Sequence, residues 1–266
     1  MIGIFDSGYG GLTILDACKK ALPEYSYIYV GDNAHAPYGP KTDEEIFALT
    51  KQGVEQLFQK GCNLVILACN TASASALRRL QQEWLPSAHP DKKVLGIIVP
   101  TAEAVSNHEY KTIGILATQH TVATGVYEKE IQKRNSSISI TDQACNNLAG
   151  MIEQYGVDDE WVSLEIAQCV HQLLEKTPNP DAVLLGCTHY ELIAEKIQRL
   201  LPEKTALIRQ QKLVAQSLKN YLERHPELEP HLQKTGTCQY FTTGNPQEVS
   251  QKSSSLMGDE VVFQLL

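Results

Sequence analysis

No block of lysine and arginine runs through this sequence, and its formal net charge is −8. It therefore lacks the basic footprint that nucleic acids and anionic membrane surfaces attract, which leaves a small molecule as the natural partner. No apolar run approaches the ~18 residues needed to cross a bilayer, and the opening Met1–Asp6 has neither the basic start nor the long apolar core of a signal peptide. The chain reads as cytoplasmic. Its seven cysteines form an odd set without a Cys-x-x-Cys pair, which argues against both a disulfide framework and a zinc ribbon. They read as free thiols, with Cys18, Cys62, Cys145, Cys169 and Cys238 taken as structural. Low-complexity tracts and conspicuous linkers are also missing. Aromatic residues are scarce, but an apolar fraction of 42% is too high for a disordered chain.

What is present is a rhythm. Short apolar runs (Ile2–Phe5, Tyr27–Val30, Leu64–Ala68, Val94–Val99, Ile113–Leu116, Ala182–Leu185 and Ala206–Ile208) alternate with segments of helical periodicity such as Asp43–Lys60, Asp159–Lys176 and Tyr190–Leu200. That alternation predicts α/β architecture around mostly parallel sheets. Two stretches resemble each other: Leu64–Thr71 and Ala182–His189 are both apolar strands that break into a polar turn at a cysteine, Cys69 and Cys187. Two related halves of a 266-residue chain would each deliver a cysteine from the carboxyl end of a sheet, where open α/β folds bind ligands. Boundaries near Pro100 and near Pro202–Thr205 give a first domain of residues 1–97 plus 206–266 and a second of residues 98–205. Residues His225–Lys234 read as an exposed loop or short helix, and Trp84 and Trp161 as packing against helices.

The turn Phe5-Asp6-Ser7-Gly8-Tyr9-Gly10-Gly11 follows the first strand and opens a helix, so its glycines permit close backbone approach; it matches neither a Walker loop nor GxGxxG. Asp6 stands there as a carboxylate at the end of a buried strand. Cys69 and Cys187 each precede a predicted helix. A helix N-terminus stabilises thiolate, and an unperturbed thiol with a pKa of about 8.5 is only slightly ionised at neutral pH. The remaining histidines outside these turns (His35, His89, His108, His120, His171, His225 and His231) read as surface or satisfied polar groups.

Taken together, Phe5-Asp6-Ser7-Gly8, Pro37-Tyr38-Gly39, Cys69-Asn70-Thr71-Ala72-Ser73 and Gly186-Cys187-Thr188-His189-Tyr190 resemble, in order and approximate spacing, the motifs of glutamate racemases of the aspartate/glutamate racemase superfamily. Phe241-Thr242-Thr243-Gly244 is similar to that family's closing strand. The resemblance implies two pseudo-twofold-related α/β domains with the active site in the interdomain cleft, no cofactor and no metal. It further implies that Cys69 deprotonates D-glutamate with help from Asp6, and that Cys187 deprotonates L-glutamate with help from His189. Asp6, Ser7, Tyr38, Gly39, Asn70, Thr71, Thr188 and His189 would bind substrate; Asp32 and Glu153 fall where relatives carry helper carboxylates. It also implies a homodimer and a role in supplying D-glutamate for peptidoglycan. None of these motifs contains Arg or Lys, so substrate carboxylates would meet backbone N–H groups, hydroxyls and amides.

The chain departs from the family pattern twice. Glu191 follows the second motif where proline is common, and Ile208-Arg209-Gln210-Gln211 stands where Ile-Asp-Ser-Gly is common. Three other readings compete: an aspartate or other racemase of the superfamily, a zinc site of Cys69, Cys187 and His189, and a non-catalytic binding protein for a small anion.

Overall fold

The structure, a computed structural model, describes residues 1–266. Its strands are β1 (Ile2–Asp6), β2 (Tyr27–Gly31), β3 (Leu64–Leu67), β4 (Lys93–Gly96), β5 (Thr112–Ala117), β6 (Ser139–Ala144), β7 (Ala182–Gly186), β8 (Ala206–Ile208), β9 (Cys238–Thr242) and β10 (Gln264–Leu265). They form a six-stranded sheet of order β10-β9-β2-β1-β3-β4 and a four-stranded sheet of order β6-β5-β7-β8, with every pairing parallel. Counted from its own first strand, each lobe contains the same winding, 2-1-3-4. The strand order reverses between β1 and β3 in one lobe and between β5 and β7 in the other, and ligands of doubly wound sheets bind at such points.

Helices cover both faces of each sheet, so the central strands are apolar on both sides. Along β1, Ile2 and Ile4 face one core while Phe5 faces the other; β3 alternates in the same way, with Leu64 and Ile66 opposite Val65 and Leu67. The second sheet splits Leu116, Val183 and Leu185 from Ile113, Ile115 and Leu184. The helix Asp43–Gln59 begins at a reciprocal cap in which the Thr42 side chain accepts from the Glu45 N–H and the Glu45 carboxylate accepts from the Thr42 N–H. Asp159 caps the helix Glu160–Lys176 through the N–H groups of Trp161 and Val162.

The chain crosses between lobes twice. Ile97 packs in a first-lobe core and Ile98, which opens the helix Ile98–Ser106, in a second-lobe core. Expected as part of a strand running to Val99, Ile98 and Val99 are instead the start of that helix, and Pro100 in its first turn gives up an N–H that has no helical partner. The return crossing lies later than expected. Ala206–Ile208 pairs with Ala182–Leu184 and so belongs to the second sheet, while the following helix Gln210–Arg224 packs its Val214, Ala215, Leu218 and Leu222 in the first lobe.

Three further expectations are corrected. Cys145 and Cys169, taken as free thiols, are joined as a disulfide: the β6 exit and the helix Glu160–Lys176 hold their Cα atoms 5.5 Å apart, within bridging reach. Trp161 sits at the helix start with 68% of its surface exposed, whereas Trp84 stacks on Phe58 as expected of a packing residue. The segment predicted as a helix from Tyr190 starts as a 3-10 turn, Thr188–Ile193, and becomes α-helical only over Ala194–Leu200. No helix is long and apolar enough to cross a membrane.

Candidate active site

Both cysteines emerge at the strand-order reversals. Cys69 follows β3 and caps the short helix Asn70–Ser75, its Sγ accepting from the Ala72 N–H at 3.4 Å. Cys187 follows β7 at the start of the 3-10 turn. Both are buried, and they lie near enough for their charges to interact.

Their surroundings differ. The Ser7 hydroxyl lies 3.4 Å from Cys69 Sγ, and Asp6 stands beside it at the end of β1, wholly buried. Burial, with the Asp6 charge added, pushes the Cys69 thiol up to about 12, against the hydrogen bonds from Ser7 and Ala72 that favour thiolate. The helix-terminus argument made from sequence therefore loses to desolvation here: Asn70–Ser75 is six residues long and the site is dry. Asp6 is raised by burial above the usual carboxylate range, opposed by the His189 charge and by the N–H groups of Gly8 and Gly11.

On the other side, His189 Nδ1 lies 3.9 Å from Cys187 Sγ, and His189 Nε2 meets Glu153 Oε1 at 2.7 Å. Burial works against a charged imidazole, but the bonds to Cys187 and Glu153 outweigh it and hold the His189 pKa well above its ordinary value. The two cysteines thus stand in unlike settings, one beside a carboxylate and one beside an imidazolium.

The remaining predicted residues converge on the same cleft. Thr188 donates to Asp6 Oδ1 at 3.3 Å across the lobes. Tyr38 is buried and donates to Asp32 Oδ2 at 2.6 Å, while Asp32 Oδ1 also meets His35 and accepts from Thr243. Asn70 and Thr71 are buried at the first turn after Cys69. A Cβ added at Gly39 would touch Thr118 at 3.4 Å. The glycines of the first turn admit the opposite lobe: a Cβ on Gly8 would overlap Glu153 Oε1, and one on Gly10 would come within 2.7 Å of the Thr188 and His189 backbone. Between the loops of both lobes opens a mouth of about 430 Å³, bordered by Tyr9, Asn33, Pro37, Glu153, Asn245 and Lys252. No three side chains among His, Cys, Asp and Glu come together as metal ligands.

Several residues were not singled out from sequence. Thr118 and Thr121, after β5, join Thr71 in a buried cluster of hydroxyls at 3.0 to 3.4 Å. Thr118 occupies the position in the second lobe that Ser7 occupies in the first, a correspondence visible only once the shared winding is known. Lys252 is the cation at the mouth. His120, read as a surface or satisfied polar group, is of the second kind and bonds Ser75 and Asp43 of the other lobe.

Two lobes of one winding, each presenting a buried thiol at the matching strand end, define an α/β protein with paired cysteines at its two switch points. Residues 12–218 match the family described as Asp/Glu/Hydantoin racemase, and the chain belongs to that family. It is 42% identical to a glutamate racemase of Roseobacter denitrificans over 98% of both chains, and 40% identical to one of a Ruegeria species over 99% of this chain and 98% of that one. Among solved structures, it superposes on a glutamate racemase from Bacillus anthracis with a TM-score of 0.88 and 29% identity, covering 100% of this chain and 97% of that one. A Francisella tularensis glutamate racemase in complex with D-glutamate gives 0.85 and 29%, covering 100% and 95%. The aspartate racemase of Picrophilus torridus, at 0.55 and 19% over 84% of this chain and 94% of that one, shares the fold alone.

Proposed function

We propose that this chain is a glutamate racemase, interconverting L- and D-glutamate by 1,1-proton transfer between two cysteines without a cofactor. The observation that carries the reading is a pair of buried cysteines at matching strand ends with unlike neighbours, Ser7 and Asp6 beside Cys69, His189 and Glu153 beside Cys187. Racemisation removes the weakly acidic α-proton on one face and returns a proton on the other, so one base must begin empty and the other loaded. With L-glutamate bound, Cys187, facing His189 Nδ1, takes the α-proton, and Cys69, held as thiol by burial beside Asp6, delivers one to the opposite face. The reverse reaction begins with Cys69 as base and Cys187 as acid, Asp6 assisting the first and His189 with Glu153 the second. Ser7, Tyr38, Gly39, Asn70, Thr71, Thr188 and His189 would hold the substrate, with Asp6 meeting its ammonium group. Neutral donors in this dry site also stabilise charge that builds on the α-carboxylate as the carbanion forms. Asp32 acts one step back, fixing the Tyr38 hydroxyl.

Glutamate is favoured over aspartate by near full-length relatives at about 40% identity that are glutamate racemases. Those relatives are bacterial, which fits D-glutamate supply to peptidoglycan in the cytoplasm, with a homodimer as the assembly. Incubation with each enantiomer of glutamate and of aspartate, followed by circular dichroism, tests the substrate: turnover of aspartate alone overturns the assignment. Cys69→Ser and Cys187→Ser each lower the rate by about 10²–10⁴-fold or more, the span of a lost general acid or base, with the far-ultraviolet spectrum unchanged. Full activity in either variant contradicts the two-cysteine mechanism.

A further inference from the structure

Glu191 and Arg209, from the second lobe and its exit, are in contact. Glu191 lies four residues beyond Cys187 in the 3-10 turn, and Arg209 is the residue at which the chain leaves β8 for the first lobe. The Arg209 guanidinium pairs with Glu191 Oε1 through Nε and Nη2 and reaches Glu195 Oε1 at 3.2 Å. The Glu191 side chain is only 8% exposed, so this carboxylate is held inside the fold by its partner. Glu191 also borders a cavity of about 10 Å³ whose wall includes Cys187 and Thr188.

The next residue does the corresponding thing for the first cysteine. Gln210 is buried, and its Oε1 accepts from Asn70 Nδ2 at 2.8 Å, immediately after Cys69. Its Nε2 donates to Tyr127 at 2.7 Å and to Thr101 at 2.9 Å, and the Tyr127 hydroxyl donates to Asn70 Oδ1. Both ends of the Asn70 amide are thereby fixed. Thr101 belongs to the helix that begins at the other crossing, so Gln210 ties the two crossings together. A polar network this buried and this fully bonded has one low-energy arrangement.

We propose that the crossover dipeptide Arg209-Gln210 is the positioning device of the two-base reaction, Arg209 setting the Cys187 turn through Glu191 and Gln210 setting the Cys69 turn through Asn70. The proposal rests on the glutamate racemase reading above. Each acts through a turn that carries a reacting group, and because both sit on adjacent positions of one backbone, they fix the two thiols relative to each other. Displacement of one thiol by a fraction of an ångström slows its own proton transfer more than the other's.

The test is the primary isotope effect measured separately with α-deuterated L- and D-glutamate. Wild-type protein is assayed first; failure to racemise glutamate there defeats the functional reading, before any variant bears on the crossover. In active protein, Arg209→Gln and Glu191→Gln each lower kcat on the order of 10-fold, the scale of a modest misplacement of a reacting group. In both variants the isotope effect from L-glutamate, whose label leaves through Cys187, rises, and that from D-glutamate falls. Gln210→Ala gives the opposite asymmetry. The exchanged pair Glu191→Arg with Arg209→Glu, or the conservative Arg209→Lys where the glutamine variant does not fold, recovers activity and restores the balance. Equal isotope effects from the two enantiomers in variants of reduced activity, or additive losses in the Glu191 and Arg209 double variant, overturn the proposal.

Discussion

At the scale of single residues, the site places acidic and basic chemistry by burial more than by sequence neighbours. Asp6 has no exposed surface and its carboxyl is raised by desolvation above the ordinary carboxylate range. A group whose folded pKa lies above its unfolded value of about 3.9 contributes stability that is fully present below that value and lost as pH rises through the folded value. At neutral pH, where the unfolded carboxyl is ionised, the raised Asp6 pKa therefore lowers the stability of the fold. Asp6→Asn is expected to raise the urea midpoint at pH 7 and to lower kcat, with the stability gain vanishing toward pH 4. A lower midpoint at pH 7 would show that the hydrogen bonds to Gly8 and Thr188 outweigh the desolvation. The helper role proposed for Asp6 and the unlike settings of Cys69 and Cys187 rest on what each strand end packs against. The motifs made the residues legible, but the Cys69 thiol at about 12 was not legible, because a sequence shows a helix start and not the dryness around it.

Elements determine how closely those residues meet. Gly10 has φ of −60°, which any residue adopts, so its lack of a side chain answers to space alone. Gly10→Ala should leave the first helix intact but hold the lobes apart, because a Cβ there would press on the Thr188 and His189 backbone. The expected result is a raised KM for both enantiomers and a larger radius of gyration by small-angle scattering; unchanged values would mean that the opposite turn yields easily. The cap of the helix Asp43–Gln59 lies away from the chemistry. Thr42→Ala is expected to lower stability by about 1 kcal/mol by chemical denaturation, with kcat unaffected. The β-α alternation was legible because central strands buried on both faces are continuous apolar runs. β6 was not, since as an edge strand carrying Ser, Thr, Asp and Gln it has no such run. β8 was seen as a strand but placed in the wrong lobe: three half-buried residues show no partner, and hydrogen bonding to β7 decides the matter.

For the whole molecule, the decisive feature is a repeated 2-1-3-4 winding that turns two similar strand ends into one symmetric cleft. The resemblance of Leu64–Thr71 to Ala182–His189 pointed to this symmetry. What it could not show was how the halves are joined: Arg209 and Glu191 are 18 residues apart in sequence and meet only because β7 and β8 end side by side. The Thr118 cluster was hidden for the same reason, as its meaning depends on the facing Thr71. The central claim, inversion by two bases on opposite faces, is tested most directly by incubating each pure glutamate enantiomer with the protein in deuterium oxide and following α-deuteration of substrate and product at early times. The account predicts product carrying deuterium at the α-carbon while recovered substrate remains largely protiated, from either enantiomer. Equal deuteration of both from the outset would point to a single base, and no exchange from either enantiomer in folded protein would contradict racemisation of glutamate altogether.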